Sequence, residues 1–355
     1  MAVTISLCFI CKNEEKTLGK CLDTVGHLVD EVIVVDTGST DDTKRIAATY
    51  GCKIYDFEWI DDFAAARNYA FSKATSDYIF WLDADDVLLE ADREKFSKLK
   101  ETLDTSVDAV SMAYALTSDV SGRRNRLVNR KRGFRWIGAV HEYLEVWGNI
   151  IASDVVVTHN RVHKISDRNL NIFEQRWSVG LPFSPRDLYY FANELSDNKQ
   201  YARAREFYQR FLDTSAGWVE DVIAACGRMS ECYAAEGDMG QAVEWALRSF
   251  RYDTPRAEQC CRLGYYFLEQ NRLKDAVYWY TVASQLKIPK DHMAILLQQC
   301  WTWLPHLQLA VCFDRMGDYQ SAYHHNEIAL SFCPNDERML ANRTYFLQQR
   351  QVKQS

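Results

Sequence analysis

The chain has 355 residues, 47% of them apolar and 26% charged, and its 42 Lys and Arg against 49 Asp and Glu leave a net charge of −7. That length makes about two domains, each able to bury its own core, and the acidic balance excludes a general nucleic-acid binder. No run of 18 apolar residues occurs and strand-like sequence (Val3-Thr4-Ile5-Ser6-Leu7) begins at once, so neither a membrane span nor a secretion leader is expected and a cytoplasmic protein is. Eleven cysteines are generous, but most (Cys8, Cys11, Cys226, Cys260, Cys261, Cys312) sit in apolar surroundings where a thiol packs as a small hydrophobe. Cys8-x-x-Cys11 is read as packing within the first strand, and no paired Cys/His spacing suits zinc.

Residues 1–115 alternate strand and helix. Val3 to Ile10 reads as a strand, and Leu18, Cys21, Leu22 and Val25 form a helical stripe within Glu14 to Leu28. Val32 to Val35 is a second strand ending at Asp36, after which Ser39-Thr40-Asp41-Asp42 offers capping chemistry to a helix over Thr43 to Tyr50. Ile54 to Phe57 is a third strand and Phe63 to Ala74 a third helix. Tyr78-Ile79-Phe80-Trp81-Leu82 then runs straight into Asp83-Ala84-Asp85-Asp86, a fully buried strand with carboxylates at its exit. Such alternation predicts a mostly parallel sheet with helices on both faces, and open sheets of this kind place ligands at the carboxyl ends of their strands.

Three strand exits carry polar signals that one ligand can share: Lys12-Asn13-Glu14-Glu15, Asp36 to Asp42 with Gly38 allowing a tight turn, and the Asp83/Asp85 pair. Oxygen ligands two residues apart suit Mg²⁺ or Mn²⁺ with phosphate oxygens completing the shell, while an acidic helix-capping turn is the plainer reading of the same residues. Seven basic residues between Arg123 and Arg135 are read as a partly mobile loop whose guanidiniums meet a diphosphate or an acidic acceptor; a plain solvated loop is the alternative, and nucleic-acid binding is disfavoured by the overall acidity. Phe134 to Glu142 reads as a tight turn presenting Glu142 beside apolar surface, where desolvation makes a usable general base; an ordinary salt bridge is the alternative. His159 stands at the exit of a last strand (Asp154 to Thr158), either as a hydrogen-bonded core residue or as a metal ligand.

Taken in order, Asn13-Glu14-Glu15, Val35 to Thr43, Asp61-Asp62-Phe63-Ala64-x-x-Arg67-Asn68 and Leu82-Asp83-Ala84-Asp85 resemble the inverting family 2 glycosyltransferases of GT-A fold, over roughly residues 3–165. The resemblance implies a UDP-sugar donor (UDP-glucose or UDP-N-acetylglucosamine) contacted by Ile10, Lys12, Asn13, Glu15, Asp36, Ser39, Arg67, Asp83, Ala84 and Arg132. Asp36 would hold the uracil and Arg67 would lie along the diphosphate. Asp83, Asp85 and His159 would hold Mn²⁺ or Mg²⁺, and Glu142 would deprotonate the acceptor. Where many members have a Pro and a Tyr at the first strand exit, this chain has Ile10 and Lys12.

From about Ser184 the pattern turns helical. Phrases at 197–202, 237–242, 271–276 and 317–322 recur, each with Ala at its sixth position (Ala202, Ala242, Ala276, Ala322) and aromatic residues (Tyr208, Trp245, Trp279, Tyr323) following. Their starts are 40, 34 and 46 residues apart; the middle interval is the tetratricopeptide period, the longest implies an insertion around Lys290–Trp303, and Pro255, Pro289 and Pro334 fall near repeat ends. The expected organisation is an α/β GT-A domain over 1–165, a linker over 166–184 and an all-α tetratricopeptide-like domain over 185–350. Such an array serves either to bind a peptide or protein acceptor or to build a homodimer. The whole motif order resembles bacterial peptide S-glycosyltransferases of glycosylated bacteriocins, which implies transfer to a cysteine. Transfer to Ser or Thr of flagellin or another protein, transfer to a surface polysaccharide, and a catalytically dead scaffold are the competing readings.

Overall fold

The structure, a computed structural model, describes residues 3–116, 120–160, 167–288 and 296–354. The chain divides into two compact units, residues 1–179 with 292–296 and residues 180–291 with 297–355.

The first unit is α/β. Its elements are β1 (Ile5–Cys11), α1 (Leu18–Val25), β2 (Glu31–Asp36), α2 (Thr43–Thr49), β3 (Lys53–Asp56), α3 (Phe63–Lys73), β4 (Tyr78–Trp81), β5 (Asp86–Val87), α4 (Glu90–Thr102), β6 (Ala109–Ala115), β7 (Val120–Asn129), β8 (Arg135–Ile137), β9 (Tyr143–Glu145), β10 (Ile150–His159) and α5 (Arg168–Ser178). The sheet runs β3-β2-β1-β4-β7-β6-β10-β5, with β3, β2, β1 and β4 mutually parallel and β7 antiparallel to both its neighbours. Alternation along each strand feeds two cores, one on each face of the sheet. Ile5, Leu7, Phe9 and Cys11 of β1 meet Leu18 and Leu22 of α1 and Phe96 of α4 on one side. Cys8, Ile79 and Trp81 meet Ala70 and Phe71 of α3 on the other. The expected mostly parallel sheet covered on both faces is therefore present. All eleven cysteines are free thiols, and Cys8 and Cys11 are buried within β1, as packing residues should be.

Two expectations are corrected. The basic segment is not a mobile loop: Val120–Asn129 is strand β7, inside the sheet between β4 and β6. Hydrogen-bonding demand explains this, since β4 and β6 would otherwise each lose a ladder, and the register Tyr78↔Asn129, Phe80↔Leu127 supplies it. The expected linker 166–184 also contains a helix, α5, which buries Leu170, Ile172 and Phe173.

The second unit is a stack of helix pairs: α6 (Pro185–Asp197) with α7 (Tyr201–Asp213), α8 (Val219–Ala235) with α9 (Met239–Arg248), α10 (Ala257–Glu269) with α11 (Leu273–Gln285), and α12 (Trp303–Arg315) with α13 (Tyr319–Phe332), followed by α14 (Glu337–Gln354). Each recurring phrase is the turn inside a pair. Ala242, Ala276 and Ala322 are fully buried where the two helices touch; in the first pair Ala204, not the exposed Ala202, takes that place. Pro289 and part of the expected insertion lie outside the described residues. Among the described residues no helix is long and apolar enough to cross a membrane.

Close approach is achieved at Gly264 of α10, where a Cβ would stand 2.8 Å from the ring of buried Tyr280 on α11. Ala there recovers about 1 kcal/mol of helix propensity but overpacks the ring at greater cost, so Gly264→Ala is expected to lose a net ~1–2 kcal/mol, read as a lowered urea midpoint.

Candidate functional site

Parallel registers bring the exits of β1, β2 and β4 to one edge of the sheet, and a cavity of about 300 Å³ opens there. Ile10, Lys12, Arg67, Asp83, Ala84, Asp85 and Glu142 all line it. Glu142 arrives from the β8–β9 hairpin, whose turn uses Gly138 at φ +99° and His141 at φ +52°.

Arg67 is the centre of this arrangement. It projects from α3, whose first turn is capped by Asp62 accepting from the Ala65 backbone N–H at 2.8 Å. The guanidinium donates from Nε to Glu142 at 2.5 Å and from Nη2 to Asp83 at 2.7 Å, while its plane lies 4.7 Å from the Trp136 ring and 5.1 Å from that of Trp81. Only 9% exposed, Arg67 is a buried cation neutralised by two carboxylates, one from each side of the cavity. The neighbouring Asn68 clasps the hairpin: its amide accepts from the Trp136 N–H and donates to the Trp136 carbonyl, both at 2.9 Å. The expectation of bare apolar surface around Glu142 is thereby corrected. The aromatic rings are present, but a guanidinium holds the carboxylate.

The second group is Asp85, Asp86 and His159, whose ligand-type atoms lie within 4.8 Å of one another. Register places them: β10 pairs antiparallel with β5, setting His159 opposite Asp86, and the Asn160 N–H donates to the Asp85 carbonyl at 2.8 Å. Burial, reinforced by repulsion from Asp83, Asp86 and Glu14 against the pull of His159, pushes the Asp85 carboxyl up to about 6. The hydrogen bond with Asp86 and the surrounding carboxylates raise the His159 imidazole despite its burial. For Asp83, burial pushes the carboxyl up, but the Arg67 and Arg126 guanidiniums outweigh it and the net shift is down. Two carboxylates and an imidazole, gathered closely with repulsion unrelieved at Asp85, fit Mn²⁺ or Mg²⁺. Asp83 is not in that group because Arg67 takes up its carboxylate.

Beneath this group lies Arg126 of β7, fully buried, stacked 4.0 Å from the Trp81 ring and 4.4 Å from Tyr114, with Nη2 3.1 Å from Asp86 Oδ2. The basic segment thus contributes one structural counter-ion. Arg132 is corrected outright: because β7 runs antiparallel to β4, Arg132 emerges at the opposite end of the sheet, where it pairs with Asp108 at 3.1 Å.

The first two exits mainly brace each other. The Asn13 N–H donates to Ser39 Oγ at 2.9 Å, the Thr40 N–H to Asn13 Oδ1 at 2.8 Å and the Glu15 N–H to Asp41 at 3.1 Å, with Asn13 at φ +58°. Asn13, Glu15 and Ser39 therefore shape the loops and do not line the cavity. Asp36 is 1% exposed; its Oδ2 accepts from the Gly38 and Ser39 N–H groups, and its Oδ1 has no hydrogen-bond partner among the described residues. An orphaned buried carboxylate oxygen is chemically suited to an N–H donor such as that of a pyrimidine.

Sequence reasoning missed part of the cavity lining: Trp59, Phe63, His141 and Arg168. Trp59 packs edge-on to Phe63 at 4.8 Å and Arg168 lies over the Phe63 ring at 4.6 Å. Arg168 stands on the helix hidden in the expected linker, and the only available signal was the helical spacing of Leu170 and Phe173.

Residues 6–156 match the family model for glycosyl transferase family 2. The chain is 28% identical over 326 residues to a TPR repeat-containing protein of Synechococcus elongatus, covering 87% of this chain and 73% of that one. It is 29% identical over 211 residues to the SPbeta prophage-derived glycosyltransferase SunS of Bacillus subtilis, covering 54% of this chain and 49% of SunS. Over 159 residues it is 31% identical to the lipopolysaccharide core biosynthesis glycosyltransferase LpsC of Rhizobium meliloti, covering 41% of this chain and 58% of LpsC.

Removing Arg126 strands a buried carboxylate. Arg126→Met is expected to cost about 3–5 kcal/mol in denaturant unfolding, and adding Asp86→Asn should recover part of it.

The β1, β2 and β4 exits, the Asp83–Arg67–Glu142 bridge and the matched span all fall within the first unit, so the chain carries a domain that matches glycosyl transferase family 2 over residues 6–156, and tetratricopeptide-like helical repeats make up its second unit.

Proposed function

We propose that this chain transfers a sugar from a UDP-sugar, UDP-glucose or UDP-N-acetylglucosamine, to a peptide or protein side chain, cysteine in the first instance, with inversion at the anomeric carbon. The observation that carries the reading is Arg67 joined at once to Asp83 and Glu142 on the wall of one cavity, with Asp85 and His159 gathered beside them.

In this reading Asp36, which does not itself line the cavity, receives the N–H of the uracil on Oδ1, while Lys12, Ile10 and Ala84 line the cavity around the nucleotide. Asp85 and His159 hold Mn²⁺ or Mg²⁺. When bound, that cation neutralises charge on the departing diphosphate. Arg67 keeps Asp83 and Glu142 in a fixed relation, so the base and the donor-side carboxylate cannot drift apart. Glu142 spends Oε1 on Arg67 and takes the acceptor proton on Oε2. As the S–H bond breaks, sulfur attacks the anomeric carbon from the face opposite the leaving group; the bond from that carbon to the diphosphate oxygen breaks and UDP departs. A thiol, with an ordinary pKa of about 8.5, asks less of a carboxylate base than a hydroxyl does, which favours cysteine over Ser or Thr. Trp59, Phe63 and Arg168 line the same cavity as Glu142 and offer the acceptor an aromatic and cationic wall. The repeats supply a surface long enough for a peptide or protein acceptor. A surface saccharide acceptor is the second reading, favoured by the 31% identity to LpsC.

Intact-mass analysis of Cys-containing peptides incubated with each UDP-sugar, with Mn²⁺ or with chelator, tests this. A gain of one sugar that depends on metal and on the cysteine is expected; sugar transfer only to a saccharide acceptor would overturn the peptide assignment. Glu142→Gln should lower turnover about 10²–10⁴-fold while UDP binding persists, and Asp85→Ala should abolish the stimulation by Mn²⁺. Full activity in either variant would remove the role given to that residue.

A further inference from the structure

The hairpin that leads Glu142 to the cavity is a two-stranded sheet, and its two edges differ. On β8 the edge is closed. Trp136 is the central residue of that strand, and the Asn68 amide takes up both its N–H and its C=O at 2.9 Å. An N–H points to one side of a strand only, so Trp136 turns its backbone groups away from β9. In an antiparallel ladder the two residues of such a pair both face outwards, and Leu144, its partner in the register, therefore turns away from β8. The flanking pairs Arg135↔Glu145 and Ile137↔Tyr143 face each other across the hairpin.

Leu144 thus presents its N–H and C=O on the outer edge of β9. Among the described residues no strand pairs with that edge, and neither group has a hydrogen-bond partner. The Leu144 side chain packs into the core with Trp136, while Tyr143 and Glu145 on either side of it are exposed. A donor and an acceptor side by side on an exposed strand edge are a template for another extended chain. This edge starts directly after Glu142.

We infer that the acceptor peptide adds to the outer edge of β9 as an antiparallel third strand, exchanging two main-chain hydrogen bonds with Leu144 and bringing its cysteine across from Glu142. This rests on the peptide-acceptor reading above and adds to it the surface that holds the peptide. The antiparallel direction lets one residue of the added chain meet both Leu144 groups. Glu142 lies two positions before Leu144 and the chains run in opposite directions, so that residue is two positions before the cysteine. Side chains two apart share a face of a strand, and directly opposed residues have Cβ atoms about 4.5–5.5 Å apart. The thiol therefore falls on the same face as the Glu142 carboxylate and within its reach. A segment held on this edge ends at the base, where an acceptor has to be, and that continuity with the site favours a peptide over a second copy of the chain.

Backbone N-methylation of a synthetic Cys-containing peptide tests this on the full, unaltered chain, with intact mass as the readout. A methyl two residues before the cysteine removes the N–H that the Leu144 C=O accepts, and should lower kcat/KM about 10-fold or more. A methyl one residue before the cysteine sits on an N–H that points away from β9, and should change kcat/KM less than about 2-fold. Equal effects at the two positions, or none at either, in a peptide that the chain does modify would sink the strand-addition inference alone. Failure to modify any Cys-containing peptide would instead overturn the peptide-acceptor reading, and this inference with it. A dimer in light scattering that Leu144→Pro disperses, with neither methyl having any effect, would give the edge to a second copy of the chain.

Discussion

The site depends on one buried cation. Arg67 reaches from α3 to a carboxylate on the exit of β4 and to another on the β8–β9 hairpin, so three separate elements are fixed to one another at a single guanidinium. Charge-assisted hydrogen bonds of this kind are worth about 1.5–3 kcal/mol each, but their larger consequence is geometric. An Arg fork is planar, and with the edge-to-face pair of Trp81 and Trp136 packed against it, it has little freedom to turn. Asn68, the next residue on the same helix, adds a second clasp to the same hairpin. Helix and hairpin are thus joined twice within two residues.

A second buried arginine solves a different problem. The run Asp83-Ala84-Asp85-Asp86 concentrates negative charge at a strand exit, where burial and mutual repulsion both disfavour ionisation. The chain distributes it: Asp83 to Arg67, Asp86 to Arg126, and Asp85, among the described residues, to His159 without a guanidinium. The carboxyl that lacks a guanidinium is the one pushed up to about 6. A divalent cation finds its greatest electrostatic gain at that unpaired position, and the two paired aspartates keep the loop in shape around it.

In the second unit, packing and caps carry the regularity. Buried alanines let paired helices approach, Gly264 admits a tyrosine ring face, and Asp238 and Asp318 cap the second helix of their pairs through the N–H groups of Gln241 and Ser321. These features recur because each pair can bury its apolar faces only against its neighbours.

What the sequence determined by itself is what depends on local period and composition. The uninterrupted apolar runs of β2 and β4, the helical stripe of α1 and the spaced Ala-containing turns are local signals, and each maps onto its element. The convergence of Arg67, Asp83 and Glu142 was foreshadowed only by motif order, since nothing in the spacing of positions 67, 83 and 142 says they touch. Tertiary structure alone decided the rest. Arg123 to Arg132 look like a basic loop until β4 and β6 need a strand between them, and the antiparallel direction of that strand then buries Arg126 under the acidic exit while carrying Arg132 to the far edge. Whether a carboxylate coordinates, braces or pairs is likewise set by which cation the fold brings to it, and those cations come from positions tens of residues away.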